Sequence, residues 1–297
     1  MKNQTLVAIG ALLLVLIFGS VLFTVVRILS EQGLHAFQLV FFYNAVALVL
    51  LLPIVLNDGL ASLKTTRRPM KFYCLRAVFE FAAFSLSFYA LTLIPLPTHT
   101  AISFMTPLFA TLIAVLFMRE HSTVHTWMAL LTGFSGMLLI TRPGMEGGAP
   151  AGGLVMLMAA LVFGMCGPVI KVLTRTEAPN TIAFYMLSLT MLISIPFAAS
   201  VWVMPEGSQW GWIFLIGALS LGQQILIAIA LKNAPIPVLM PFNFVSLILS
   251  SLLAYFVFHE LIDVWTLLGA VIIIISSIYN TVYATKKPHI DGPPTQV

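Results

Sequence analysis

The chain has 297 residues, of which 60% are hydrophobic and 8% are charged, and its mean hydropathy is +1.04. Soluble domains carry about 25% charged residues, so this composition excludes a water-soluble globular fold, and so apolar a chain does not stay disordered in water. The 14 basic and 10 acidic side chains lie between apolar runs and form no continuous basic face, which argues against nucleic acid as a partner.

Ten apolar segments follow one another along the chain, and a helix needs about 20 such residues to cross a bilayer. Turn-type sequences such as Asn57-Asp58-Gly59 and Arg142-Pro143-Gly144 separate them. The sequence therefore predicts an all-α polytopic membrane protein with ten transmembrane helices. The segments run over residues 5–27, 36–56, 72–94, 97–118, 124–141, 152–173, 181–203, 211–231, 236–258 and 263–284.

The basic residues predict the orientation, because Lys and Arg concentrate in the cytoplasmic loops of membrane proteins. With the N-terminus inside, eleven of the 14 basic residues fall on the inner side and only Arg27 and Arg142 on the outer side. Arg76 falls within the third segment. We therefore predict that both termini are cytoplasmic, the C-terminus as a polar tail over 286–297.

The two halves of the chain repeat each other. An offset of 140 positions aligns residues 90–120 with 230–260 and gives eight identities in 31 positions, among them Glu120 with Glu260. The polar pairs Ser103/Asn243 and Thr106/Ser246 fall in the same register. Because each half holds five helices, an odd number, the copies enter the membrane in opposite directions, which is typical of transporters. We predict repeats over 1–145 and 148–285.

The chain resembles the EamA family of the drug/metabolite transporter superfamily. The residues that carry the resemblance are Leu75-Arg76-Ala77, Tyr89-Ala90-Leu91, Pro95, Pro107 and Glu120, and in the second half Ala230-Leu231, Pro235, Phe244 and Glu260. The resemblance implies a bacterial inner-membrane carrier of small metabolites built as five plus five helices. The stretch from Arg76 to Glu120 is most similar to bacterial S-adenosylmethionine uptake carriers, from which Glu80 departs because an apolar residue is expected there.

These features favour a secondary transporter of a small organic metabolite that is amino-acid-like, zwitterionic or cationic, with export of amino acids or drugs as the alternative. A channel is a weaker alternative because no ring of charges or carbonyl filter is evident. An intramembrane enzyme would need clustered catalytic groups, and none is present, so we predict no enzyme activity. Neither Cys74 nor Cys166 has metal-ligand spacing, and no nucleotide-binding loop occurs. We therefore predict no metal and no cofactor, and the sequence leaves the oligomeric state open.

Charged residues inside a bilayer are costly, so they pair or face a water-filled cavity. Arg76 and Glu80 are four residues apart and share one helix face. They form either a structural ion pair or a site where Glu80 binds a cationic substrate or takes a coupling proton. His99, at the outer start of the fourth segment, is either a proton-sensing group or, the favoured reading, an interfacial residue that forms hydrogen bonds.

Uncharged polar residues in the third, fourth, eighth and ninth segments, beside the prolines Pro107 and Pro241, are the other candidates for a mid-membrane site. Phe104 and its repeat partner could stack on a flat or cationic ligand. With Glu80, the candidate substrate-binding residues are Asn44, Tyr89, Ser103, Phe104, Thr106, Gln223, Gln224, Asn243 and Phe244.

Overall fold

The computed structural model describes residues 2–58, 67–118, 124–142, 150–173, 179–233 and 240–285. Glu120 and the predicted tail over 286–297 lie outside these ranges. In the described ranges the chain forms helices joined by short turns and contains no strand. The helices are α1 (Lys2–Glu31), α2 (Ala36–Asp58), α3 (Arg67–Ala90), α4 (Leu96–Ser103), α5 (Thr106–Met118), α6 (Val124–Thr141), α7 (Pro150–Leu173), α8 (Pro179–Ser200), α9 (Gln209–Asn233), the 3₁₀-helix η1 (Met240–Asn243), α10 (Phe244–Phe258) and α11 (Val264–Thr285).

These elements make the ten predicted helical spans, which we number 1 to 10, because α4 with α5 forms span 4 and η1 with α10 forms span 9. Four helices in the part of the chain that the structure describes are long and apolar enough to cross a membrane, judged by length and composition only: α1, α2, α8 and α9. Large apolar side chains such as Leu131 and Phe256, each 71% exposed, cover the outside of the bundle. Such a surface fits a multi-pass membrane protein.

Among the described residues, spans 4 and 9 are the two spans that consist of more than one helical element. In span 4 the interruption lies at Phe104 and Met105, whose N–H groups bond three residues back instead of four. Pro107 has no N–H, so the carbonyl of Ser103 lacks the partner that a continuous helix would supply. In span 9, η1 precedes α10. The prediction that a proline interrupts span 4 is confirmed, with the break just ahead of Pro107, and in span 9 a 3₁₀-helix that contains Pro241 leads into α10.

Helix packing follows the same two-fold relation as the repeat, in which span n of the first half corresponds to span n + 5. The packing of span 1 on span 8 corresponds to that of span 6 on span 3. In the same way, span 2 on span 8 corresponds to span 7 on span 3, and span 4 on span 6 corresponds to span 9 on span 1. Spans 2 and 7, spans 4 and 9, and spans 5 and 10 also pack on each other, and in each of these pairs the two-fold relation exchanges one span for the other. A pseudo-two-fold axis therefore passes between the interrupted spans 4 and 9.

The crossing of α6 with α11 depends on two glycines. A Cβ placed on Gly269 would lie 2.5 Å from the backbone oxygen of Gly136, and one on Gly136 would lie 2.8 Å from that of Gly269. Both atoms belong to the backbone, so neither can move aside without separating the helices. Small residues let membrane helices approach closely and gain van der Waals contact.

We predict that Gly269→Ala lowers stability, because the added methyl forces α6 and α11 apart and overpacking costs about 1–3 kcal/mol. The melting temperature of the detergent-purified protein should fall by several degrees. Gly10→Ala is the matched control, since a Cβ there meets nothing within 4 Å, and its melting temperature should stay level or rise. Equal melting of the two variants would contradict the assigned packing.

Candidate functional site

A cavity of about 290 Å³ lies where the two interrupted spans face each other. Small-molecule sites measure about 300–1,000 Å³, so the space suits a small metabolite. Four of the six elements that line it belong to the interrupted spans, and α1 and α11 supply the rest. The lining residues are Leu16, Ser103, Phe104, Thr106, Pro107, Asn243, Ser246, Ile274, Ser277 and Ile278.

Two repeat pairs line this cavity together. Ser103 corresponds to Asn243, and Thr106 to Ser246, at the offset of 140 positions. Each pair consists of equivalent positions of the two repeats, and these positions lie at or near the element boundaries of spans 4 and 9. The cavity therefore lies at the pseudo-two-fold axis of the molecule.

Hydroxyl groups give the cavity hydrogen-bond acceptors. Ser103 donates its hydroxyl hydrogen to the carbonyl of Thr100 over 2.6 Å, and Ser246 donates to the carbonyl of Asn243 over 2.6 Å. A serine oxygen has two lone pairs besides its single hydrogen, so both oxygens keep acceptor capacity. Such acceptors suit the N–H groups of an amine, an ammonium or an aromatic base.

Helix ends add a second electrostatic feature. The carboxyl end of α4 at Ser103 and the amino ends of α5 at Thr106 and α10 at Phe244 all meet at this level. A helix carries partial negative charge at its carboxyl end and partial positive charge at its amino end. Both signs are therefore present beside one cavity without a charged side chain among its lining residues, an arrangement that is matched by a zwitterion.

The structure separates the predicted site residues into two groups. Ser103, Phe104, Thr106 and Asn243 line the cavity together. Gln223 instead donates to the carbonyl of Val15 on α1 over 3.1 Å. Four further candidates that the structure describes do not line the cavity, namely Asn44, Tyr89, Gln224 and Glu80. Asn44 is buried and donates to the carbonyl of Val40. Tyr89 is 46% exposed, and Gln224 is partly exposed. For Phe244 only the backbone is described.

Arg76 and Glu80 form an ion pair elsewhere in the bundle, with 3.6 Å between Arg76 Nη1 and Glu80 Oε2. Arg76 Nε and Glu80 Oε2 are buried and have no hydrogen-bond partner. A buried ion pair that leaves polar atoms unsatisfied is costly, so this pair is a poor stabilising device.

His99 is buried inside the helix bundle. It is 1% exposed, and its Nε2 lies 2.8 Å from the hydroxyl of Ser87. Its ring packs against Phe23, with 4.9 Å between centroids. The prediction that it forms a hydrogen bond holds, but it does so inside the bundle because α4 begins buried between α1 and α3.

Sequence reasoning missed the contributions of α1 and α11 to the cavity, namely Leu16, Ile274, Ser277 and Ile278. A usable signal was present in α11, where Ser276 and Ser277 directly follow a run of four isoleucines. Leu16 carried no signal, because it is one apolar residue in an apolar helix.

Several characterised proteins are similar to this chain. An S-adenosylmethionine uptake transporter of Rickettsia felis is 32% identical over 95% of this chain and 94% of its own length. A riboflavin transporter of Brucella anthropi is 30% identical over 84% of this chain and 89% of its own length. A pseudopaline exporter of Pseudomonas aeruginosa is 26% identical over 94% of this chain and 97% of its own length.

One protein of known crystal structure superposes with a TM-score of 0.63 at 17% identity, covering 96% of this chain and 99% of its own. That likeness supports the fold alone.

The EamA-like transporter family matches residues 6–142 and again residues 150–282. The two matches together cover nearly all of the described helices, and the similar proteins are transporters of small metabolites. The chain belongs to the EamA-like transporter family and is a membrane transporter, not an enzyme.

Proposed function

We propose that this protein is a secondary carrier that takes up an amino-acid-like zwitterionic or cationic metabolite, of the S-adenosylmethionine type, across the bacterial inner membrane by alternating access. The observation that carries the proposal is the cavity between the interrupted spans, lined by repeat-related polar residues. Inverted repeats commonly place transporter substrate sites near the bilayer midplane in this way.

The chemistry of the cavity supports this class of substrate. An α-carboxylate would bind near the amino ends of α5 and α10, and an ammonium near the carboxyl end of α4 and the acceptor oxygens of Ser103 and Ser246. Phe104 would stack on a sulfonium or a purine ring, since an aromatic face attracts cations by about 2 kcal/mol or more when desolvated.

The names of the similar proteins support the proposed substrate class and the proposed direction of transport. S-adenosylmethionine uptake transporters are 30–32% identical over 86–95% of this chain. Export is the second candidate direction, favoured by the similarity to the pseudopaline exporter. Uptake by intact cells separates the two directions.

The orientation that we propose has both termini in the cytoplasm, as the distribution of basic residues predicts. The carboxyl ends of α1, α3, α6, α8 and α10 then lie on the outer side. Below we name this side the Arg27 end of the bundle.

Alkaline phosphatase fusions should establish that orientation, because this enzyme folds to its active form only outside the cytoplasm. A fusion after Gly207, in the turn between α8 and α9, should be active, and one after Thr285 should be inactive. The reverse pattern would overturn the proposed orientation.

Phe104→Leu should raise the KM for S-adenosylmethionine uptake about tenfold or more in cells that otherwise lack such uptake, because it removes the cation–π contact. Asn243→Ala should also raise KM. Phe256→Leu is the matched control, since this phenylalanine is 71% exposed on the outside of the bundle, and its KM should match that of the parent. A KM that is the same in all three variants would refute the cavity as the binding site.

We also propose that Glu80 couples transport to protons, because its buried ion pair is longer than a hydrogen bond and leaves Oε2 unsatisfied. Glu80→Gln should abolish the stimulation of uptake by an inward proton gradient. Glu206→Gln, at an exposed loop carboxylate, is the control and should retain that stimulation. Normal gradient dependence of Glu80→Gln at every pH would restrict the pair to a structural role.

A further inference from the structure

Two carboxylates lie on the short turn between α10 and α11 at the Arg27 end of the bundle. One of them, Glu260, is bound by Arg27 of α1 through two hydrogen bonds, Nη1 to Oε2 over 2.8 Å and Nη2 to Oε1 over 2.5 Å. The Arg27 guanidinium also lies 4.3 Å from the ring centroid of Phe258 on α10. A bidentate pair of this kind fixes orientation as well as distance.

The second carboxylate, Asp263, is bound by Arg142 at the end of α6, with 2.8 Å between Nη2 and Oδ2. The turn is therefore tied to the first half of the molecule at two points. Both partners come from the other repeat, and from different helices. We name residues 259–263 the strap.

The backbone at this end positions the strap. In the part of the chain that the structure describes, only Arg142 (φ 40°) and His259 (φ 56°) combine a side chain with a positive φ. Both directly follow a helix, and His259 ends α10 in a left-handed cap in which the N–H of Glu260 bonds to the carbonyl of Ala254 over 3.1 Å. This cap turns the chain so that Glu260 lies beside Arg27.

Three of the four helices that the strap joins, α1, α10 and α11, line the cavity. Leu16 lies eleven residues before Arg27 on α1, and Ile274 eleven residues after Asp263 in α11. At 1.5 Å per residue the strap is about 16 Å along the helices from the cavity. Opening a route from the Arg27 end to the cavity would separate α1 from the strap and break the Arg27–Glu260 pair, whereas the Arg142–Asp263 pair joins α6 and α11, which the crossing of Gly136 with Gly269 holds together.

We infer that the Arg27–Glu260 pair is a releasable gate that closes the Arg27 end of the cavity, while the Arg142–Asp263 pair keeps the strap attached to α6. This inference rests on the proposed function in one respect, because it takes the cavity to be the substrate-binding site. Arg27, Arg142, Glu260 and Asp263 act as positioning residues for transport and do not touch the substrate.

The chemistry of the gate fits repeated opening. Apolar contacts would have to be exposed to water each time, whereas separated charges regain their hydration, which nearly offsets the lost attraction. Arg27 also has a second partner on its own helix, Glu31, with Nε to Oε1 at 3.1 Å. This partner moves with Arg27 when Glu260 is released, so the guanidinium is not left unpaired in the open form.

The test measures from which side the cavity is accessible. In a background without the native thiols (Cys74→Ala, Cys166→Ala), Ser246→Cys reports access to the cavity through its rate of reaction with a membrane-impermeant thiol reagent. The reagent is applied outside intact cells and, separately, to inside-out vesicles. Because no substrate is needed, a wrong substrate would fail in the uptake assay and leave this result intact.

Glu260→Gln and Arg27→Gln should each raise the labelling rate from the Arg27 end several-fold and lower it from the opposite end, because the population shifts toward the form open at the Arg27 end. The double variant should add little to either, since both remove one interaction. Arg27→Glu combined with Glu260→Arg should restore the parental rates.

Glu206→Gln is the control at the same end and should leave both rates unchanged. Ion pairs that only stabilise the fold would loosen the whole bundle, so labelling would rise from both ends and the melting temperature would fall. Either that pattern or unchanged rates in Glu260→Gln and Arg27→Gln would overturn the gate.

Discussion

A hydrocarbon core offers no hydrogen bonds, so every backbone N–H and C=O that crosses it must be satisfied within the protein. An interrupted helix is consequently tolerated only where its freed groups face other protein or a polar cavity. Spans 4 and 9 are interrupted at the same level, pack against each other, and enclose a cavity between them. The acceptor oxygens of Ser103 and Ser246 and the ends of α4, α5 and α10 are present there because of these interruptions. The proposed substrate chemistry follows from that one constraint.

The inverted repeat extends this local feature to the whole molecule. Each major packing between two spans has a counterpart related by the pseudo-two-fold axis, and the proposed alternating access would use this symmetry to exchange one arrangement of the halves for the other. Alternating access needs two such states. The close crossing of Gly136 with Gly269 holds spans 5 and 10 together near the axis, whereas the strap ties the halves through charges that can separate. Permanent packing and releasable closure thus occupy different parts of the bundle.

Much of the fold was predictable because the bilayer restricts the sequence strongly. Apolar length gave the ten spans, and Pro107 and Pro241 indicated the two interruptions. Part of the candidate site followed from repeat register, as Ser103 with Asn243 illustrates. The rest of the structure depends on contacts between distant residues. Glu260 indicated the repeat and Arg27 indicated the topology, but a single sequence carries no signal that these two residues, 233 positions apart, form an ion pair. The direction in which a polar side chain points is equally hidden, so Gln223, which bonds to α1, looked the same as a residue that lines the cavity.

The central claim is that the chain carries its substrate through one site that is exposed to the two sides of the membrane in turn. Counterflow tests this most directly: proteoliposomes loaded with unlabelled S-adenosylmethionine are diluted into a trace of the labelled compound. We expect a transient accumulation of label above the external concentration, which disappears when the vesicles are empty and is reduced by Phe104→Leu at subsaturating label. Entry of label that is independent of the internal load would indicate a channel, and an absence of entry would contradict the proposed substrate.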